Sequence, residues 1–448
     1  MSVVVRSADG QARRASLELP RDVAGVQAFA VGALEVREPS TDMYGPSTGA
    51  GRYPDVLVPQ AAAPTAEQSY FDVAIRAEAE PGRYSGALWV DARRLPVELE
   101  VSSAQIDLQR EPLVWVFFLP RELARLQHLA DDDSEAELAQ ERRYYELFRA
   151  HGALLAADLG PERFAARRAF MRDVKYWPVA VDTATDATIE RDVKRWLELF
   201  RGSTVTPFAI PVDEPRTPAA RARARHVADV MGRAGAGRPA LLRAVTDTWS
   251  PEYGDAFDVY FSPRSFPEPA RTRRARGERY WTYNGVPPGA GSMILDTDGA
   301  ALRTWGWIAE RYDIELWYAW EGLYFSDRYN GGGPTDVLRD PVTFDERSRG
   351  QTDFGNGDGV LAYPGPLPSW RLKELRRGLQ DRLLLRELKR CGGAATAQRL
   401  LTRVMPLALG DASGARSWSI DEPVWEGARL ELLDAIERSC REQAALAH

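Results

Sequence analysis

Apolar and polar positions follow one rhythm over the first part of the chain and another afterwards. Up to residue 108 they alternate in short runs, such as Ser2–Val5 and Ala15–Leu19, with turn residues between the runs. The clearest unit is Tyr70–Ile75, then the turn Glu80-Pro81-Gly82-Arg83-Tyr84, then Gly86–Val90; Arg93–Val101 supplies one more strand. A period of two puts alternate side chains on one buried face, and Pro-Gly turns at this spacing predict a β-sandwich over residues 1–108.

From Leu113 strands alternate with helices. Leu113–Leu119 (LVWVFFL) is apolar throughout, as expected of a strand covered on both faces. Seven more strands are expected at Ala153–Leu159, Trp177–Val181, Thr204–Val212, Ala240–Val245, Asp258–Phe261, Arg279–Tyr283 and Ile314–Ala319. Between them, Ser134–His151, Ala187–Phe200, Thr217–Arg233 and Ala300–Arg311 carry apolar residues three and four apart, the helical spacing. Eight such units predict a (β/α)8 TIM barrel over residues 109–368 rather than an open doubly wound sheet. No Gly-rich phosphate loop follows any strand. A Gly-, Asp- and Pro-rich stretch, Glu321–Pro368, leads to three helices near Ser369–Lys389, Ala394–Val404 and Val424–His448. These are expected to pack on the barrel as a C-terminal helical extension, residues 369–448.

Composition narrows the function. A chain of 448 residues with 44% hydrophobic and 27% charged residues has the balance of a globular protein with more than one domain. The net charge of −7 argues against a nucleic-acid partner. No apolar run reaches membrane-spanning length, and no basic-then-apolar leader opens the chain. The expectation is therefore a cytoplasmic protein, or an exported one whose leader is missing from this chain. Cys391 and Cys440 are either one staple or two buried thiols. The four histidines form no spaced cluster, so neither a metal site nor another cofactor is expected.

Chemistry concentrates at Asp213-Glu214, which closes the apolar run Val205–Val212 and precedes Pro215. Two like charges in a cleft raise each other's proton affinity, which suits general acid/base work; the alternative is a helix start. In a barrel the C-terminal ends of strands surround the pocket mouth. Asp158, Asp182, Asp247, Trp249, Tyr283, Asn284, Tyr318 and Trp320 all fall at such ends, as does Trp317. Carboxylates among Trp and Tyr describe a sugar site, since ring faces stack on pyranose C–H faces while acids bond hydroxyls. Singly, a tryptophan is more often core, and Asp158 or Asp182 is as readily a helix cap. The run Asp353–Gly359 has calcium-loop character but lacks the closing glutamate, so a glycine-dependent turn is expected instead.

These residues carry a resemblance. Gly357-Asp358-Gly359-Val360-Leu361-Ala362-Tyr363-Pro364-Gly365, with Ser369-Trp370-Arg371-Leu372-Lys373 and the helix after it, resembles the C-terminal signature of glycoside hydrolase family 123 and its relatives. Tyr53–Pro59 and Pro81–Gly86 resemble that group's N-terminal sandwich, and Asp213-Glu214-Pro215 its catalytic pair. The resemblance implies a retaining β-N-acetylgalactosaminidase working by substrate-assisted catalysis. It implies that Glu214 is the general acid/base and that Asp213 orients the substrate's 2-acetamido group, with Tyr283 first and Tyr318 second as the supporting tyrosine. The implied partner is a glycan or glycoconjugate. A glycosidase of other specificity and a non-catalytic carbohydrate-binding protein are the alternatives.

Overall fold

The computed structural model describes residues 1–446 except 62, 111, 236–240, 263–276, 326–334 and 348–349, with side chains of 444–446 left aside. Parts of the expected segments Ala240–Val245, Glu321–Pro368 and Val424–His448 therefore lie outside the described residues.

Eight strands form the N-terminal part: β1 (Ser2–Arg6), β2 (Arg13–Glu18), β3 (Ala24–Val36), β4 (Gly51–Gln60), β5 (Thr65–Ala66), β6 (Gln68–Ile75), β7 (Gly82–Val90) and β8 (Arg93–Val101). They make two four-stranded antiparallel sheets, ordered β1-β6-β3-β4 and β5-β2-β7-β8. Ala15 and Leu17 of one sheet meet Phe71 and Val73 of the other, with Leu99 and Val101, in one buried cluster. The long pair β3 and β4 was not expected from the alternation. A register shift between Gly32 and Ala33 breaks the period of two in its middle.

All eight expected parallel strands are present, most of them shorter than their apolar runs: β9 (Val114–Val116), β10 (Ala153–Leu155), β11 (Tyr176–Pro178), β12 (Thr206–Ala209), β13 (Leu242–Val245), β14 (Val259–Phe261), β15 (Arg279–Tyr283) and β16 (Trp317–Ala319). Their order is β10-β9-β16-β15-β14-β13-β12-β11. The sheet curls on itself: Trp115 of β9 meets Phe208 of β12 at 5.1 Å, and Trp281 of β15 meets Tyr176 of β11 at 4.7 Å. No ladder joins the edge strands β10 and β11; the Ala180 N–H donates to the Leu159 carbonyl at 3.0 Å across that seam. The expected barrel is thus a curled eight-stranded parallel sheet with a seam. Filling it with buried aromatics such as Trp115, Phe208, Phe261 and Trp281 contributes roughly 2–3 kcal/mol per ring.

Local signals explain the helices. Thr185 and Thr188 form a capping box for Asp186–Leu199, and Thr217 caps Pro218–Ala234 with proline in its first turn. Ser369 caps Trp370–Arg390, whose Lys373 and Arg376 reach Asp72 of β6 at 2.7 and 2.6 Å. The same helix crosses Thr304–Arg311 glycine against glycine, Gly378 on Gly306. Cys391, at its end, is disulfide-bonded to Cys440 of Glu422–Leu446, which resolves the two cysteines as a staple. No helix among the described residues is long and apolar enough to cross a membrane.

Candidate active site

The strand before the acidic pair stops early. β12 ends at Ala209, and Pro211, which has no N–H to give a ladder, carries the chain on to Asp213. The pair therefore stands on a loop past the strand end, not on the strand itself. Glu214's backbone is at φ +41°, a left-handed conformation that costs a non-glycine residue about 1–3 kcal/mol. Thr246, next after β13 and buried, fixes that turn. Its hydroxyl accepts the Glu214 N–H at 2.7 Å and donates to Asp213 Oδ1 at 2.7 Å. One threonine thus holds the backbone of one acid and the side chain of the other. The apolar patterning gave no sign of it, since Thr246 sits in an ordinary strand-to-loop step.

Both Glu214 oxygens have partners. Tyr283 O–H donates to Oε1 at 2.5 Å and Arg216 Nη2 to Oε2 at 2.5 Å. Arg216's side chain is 74% exposed, so this ion pair is worth little and yields readily. Tyr283 is buried on β15, and burial followed by its bond to Glu214 pushes its phenol far above the ordinary value. It keeps its proton at any working pH.

Asp213 is exposed at the surface of the site, yet protein atoms crowd around its carboxylate. Desolvation raises its pKa, the Thr246 hydroxyl opposes, and the charge of Glu214 raises it further. Asp158, past the end of β10, is pushed up to about 7, first by burial and then by the charge of Asp213. The two acids therefore lie within electrostatic reach of one another. Tyr318, its ring stacked 4.2 Å from Trp115, lies within electrostatic reach of Asp213, Asp158 and Glu321.

Asp158 gives a pH dependence whose sign is fixed. Its folded pKa lies above its unfolded one, so its protonated form favours folding below about pH 4, and that contribution is lost as pH rises through about 7. Asp158→Asn is therefore expected to gain stability relative to wild type between pH 4 and 8, by about 2 kcal/mol once solvent screening is allowed for. Denaturant unfolding at the two pH values reads this; a constant difference would contradict it.

The other expected residues divide. Asn284, at φ +50°, is a bracket: Oδ1 accepts the Trp320 N–H at 2.9 Å, and its carbonyl accepts from Trp317 Nε1. Trp320 donates through Nε1 to the buried Asp358 at 3.0 Å, so the Gly-rich run reaches the same mouth. Gly357 and Gly359 there have φ of +64° and +69°, the glycine-dependent turn expected. Asp247 is held by Tyr253 and Arg221 at 2.6 and 3.1 Å, and its charge reaches Arg216. Trp249's indole N–H goes to the Gly254 carbonyl and closes a local turn. Trp317 is core, stacked on Trp305 at 4.7 Å. Asp182 stays apart from the pair: it is exposed, makes a local turn with Ala184 and lies 3.7 Å from Arg191.

No family model matches the sequence, and no curated protein matches it. Solved structures do. A family 123 glycoside hydrolase from Clostridium perfringens, described for glycolipid glycan hydrolysis, aligns over 100% of this chain and 92% of its own, with a TM-score of 0.66 at 10% identity. A β-glucuronidase from Parabacteroides merdae aligns over 84% of this chain and 54% of its own, at 9% identity and a TM-score of 0.37. A family 39 glycoside hydrolase from Bacteroides cellulosilyticus aligns over 81% and 78%, at 12% identity and a TM-score of 0.37. The last two are too distant to bear on the fold. The resemblance read from the sequence extends through the whole architecture: this chain has the fold of a family 123 glycoside hydrolase.

Proposed function

We propose that the protein is a retaining glycoside hydrolase that removes β-linked N-acetylgalactosamine, or a related N-acetylhexosamine, by substrate-assisted catalysis. The observation that carries this reading is the Thr246 clamp, which fixes the Asp213 side chain and the Glu214 backbone on one loop while the Glu214 carboxylate is held by Tyr283. A conventional retaining pair flanks the scissile bond at about 5–5.5 Å, with one carboxylate as nucleophile; substrate-assisted enzymes need no protein nucleophile. In the proposed reaction Glu214 gives its proton to the glycosidic oxygen as the bond to the anomeric carbon breaks. The substrate's acetamido carbonyl oxygen attacks that carbon and closes a five-membered ring. Asp213 accepts the acetamido N–H and stabilises its growing positive charge. Water then opens the ring, losing a proton to the Glu214 carboxylate, and configuration is retained. Tyr283, protonated and bonded to Glu214, holds the acid in place until substrate displaces Arg216. In this reading residues 1–108, 109–368 and 369–448 are a sandwich, a catalytic barrel and a helical extension, and Asp158, Asp247, Asn284, Trp249, Tyr318 and Trp320 line or support the sugar site, whereas Asp182 lies apart from it.

A panel of nitrophenyl glycosides tests the reading. Turnover is expected for β-N-acetylhexosaminides and at least a hundredfold less for the matching sugars without the acetamido group. Equal turnover of both would replace it with a glycosidase of other specificity. One observation favours a non-catalytic sugar-binding protein, namely that both Glu214 oxygens are already engaged. Binding without turnover of any glycoside would select that reading.

A further inference from the structure

Tyr44 lies in the N-terminal part of the chain, in the loop between β3 and β4, yet it reaches the mouth of the curled sheet. Its phenol oxygen accepts a hydrogen bond from Asn284 Nδ2 at 3.5 Å. It also lies within electrostatic reach of Asp358, Tyr283, Glu214 and Tyr318. Burial and these acidic neighbours hold the phenol in its protonated form, so Tyr44 has a hydrogen to donate. Among the described residues nothing accepts it, whereas the hydroxyl hydrogen of Tyr283 is committed to Glu214.

The loop is fixed firmly enough to place that hydroxyl. Asp296, fully buried, accepts from the Ser40 N–H at 2.7 Å, the Ser40 hydroxyl at 2.6 Å, the Ser47 hydroxyl at 2.5 Å and Asn356 Nδ2 at 3.3 Å. A buried carboxylate with this many donors is satisfied, and removing any donor is costly. Thr41 and Phe354 exchange backbone and side-chain bonds beside it. Gly45, at φ +91°, lies so close to the barrel-side loop that a Cβ there would stand 2.7 Å from Pro287 Cδ. The segment is thus a tongue pinned at both ends, with Tyr44 at its tip.

We propose that Tyr44 is a substrate-contacting residue, donating its phenolic hydrogen to a hydroxyl oxygen of the sugar beside Glu214. The N-terminal part then completes the active site rather than merely flanking it. This inference rests on the glycosidase reading above, and its test separates the two. Tyr44→Phe removes one oxygen and nothing else. With the nitrophenyl β-N-acetylgalactosaminide the variant is expected to lose about tenfold in kcat/KM, the size of one neutral hydrogen bond, at unchanged thermal stability. The decisive arm uses the 3-, 4- and 6-deoxy forms of the same glycoside. For the one sugar lacking the oxygen that Tyr44 meets, wild type and variant should turn over alike. A residue that only props Asn284 would lower all substrates equally, and that result overturns the proposal, as does full activity in Tyr44→Phe. Should that variant fold poorly, Gly45→Ala, which pushes the tongue off Pro287, is expected to raise KM several-fold; an unchanged KM overturns the proposal. If wild type turns over no glycoside at all, the glycosidase reading itself fails, and the role of Tyr44 with it.

Discussion

Glu214→Gln is expected to lower kcat on N-acetylhexosaminides by about a thousandfold, within the range that positioned proton transfer supplies. That corresponds to about 4 kcal/mol of transition-state stabilisation. The amide keeps the shape of the carboxyl and can still accept the Tyr283 hydroxyl at Oε1, so the pocket is preserved. KM and inhibitor affinity should therefore move little, because only the proton transfer is lost. The deficit should shrink with leaving groups that depart without protonation, such as dinitrophenol. Steady-state rates across a leaving-group series measure this. A variant within tenfold of wild type on every substrate would remove Glu214 from the acid/base role.

The second large effect is on stability. Gly378→Ala is expected to destabilise the fold by about 3 kcal/mol. In an open helix the same change would stabilise, since alanine is the better helix former. Here a Cβ on Gly378 would stand 2.2 Å from the Arg303 carbonyl oxygen, and one on Gly306 would stand 1.9 Å from the Gly378 carbonyl. Backbone, unlike a flexible side chain, gives way only if the helices part. Parting them also disturbs the buried network in which Asp381 accepts from Arg303 at 2.9 Å and Arg429 at 2.6 Å. Denaturant midpoints of wild type and variant at one protein concentration test this. An unchanged or raised midpoint would show that the crossing has room.

The strands of the curled sheet were legible because fully apolar runs such as Leu113–Leu119 have few other uses. Their ends were not: neighbours stay apolar past the last ladder bond, as at β9, which keeps only Val114–Val116. The acidic pair was legible from composition, but its geometry was not. The pair sits past the strand end, where a left-handed Glu214 and the Thr246 clamp set its geometry in place of strand alternation. Thr246 and Tyr44 gave no signal, because each is made important by a partner far away in the chain. Tyr44 meets Asn284, 240 residues on. Asp182 looked equivalent to Asp158 in the sequence, yet Asp158 lies within reach of the charge of Asp213 while Asp182 turns back on its own loop.

A galactosamine-derived thiazoline, which mimics the cyclised acetamido intermediate, reports on reaction class and sugar together. Calorimetry should show it binding wild type at least a hundredfold more tightly than N-acetylgalactosamine itself, as a transition-state mimic does. Asp213→Asn should erase most of that advantage, since in the proposed mechanism Asp213 is the group that faces the ring nitrogen. Thiazoline binding no tighter than N-acetylgalactosamine, or unaffected by Asp213→Asn, would contradict substrate-assisted catalysis at this pair.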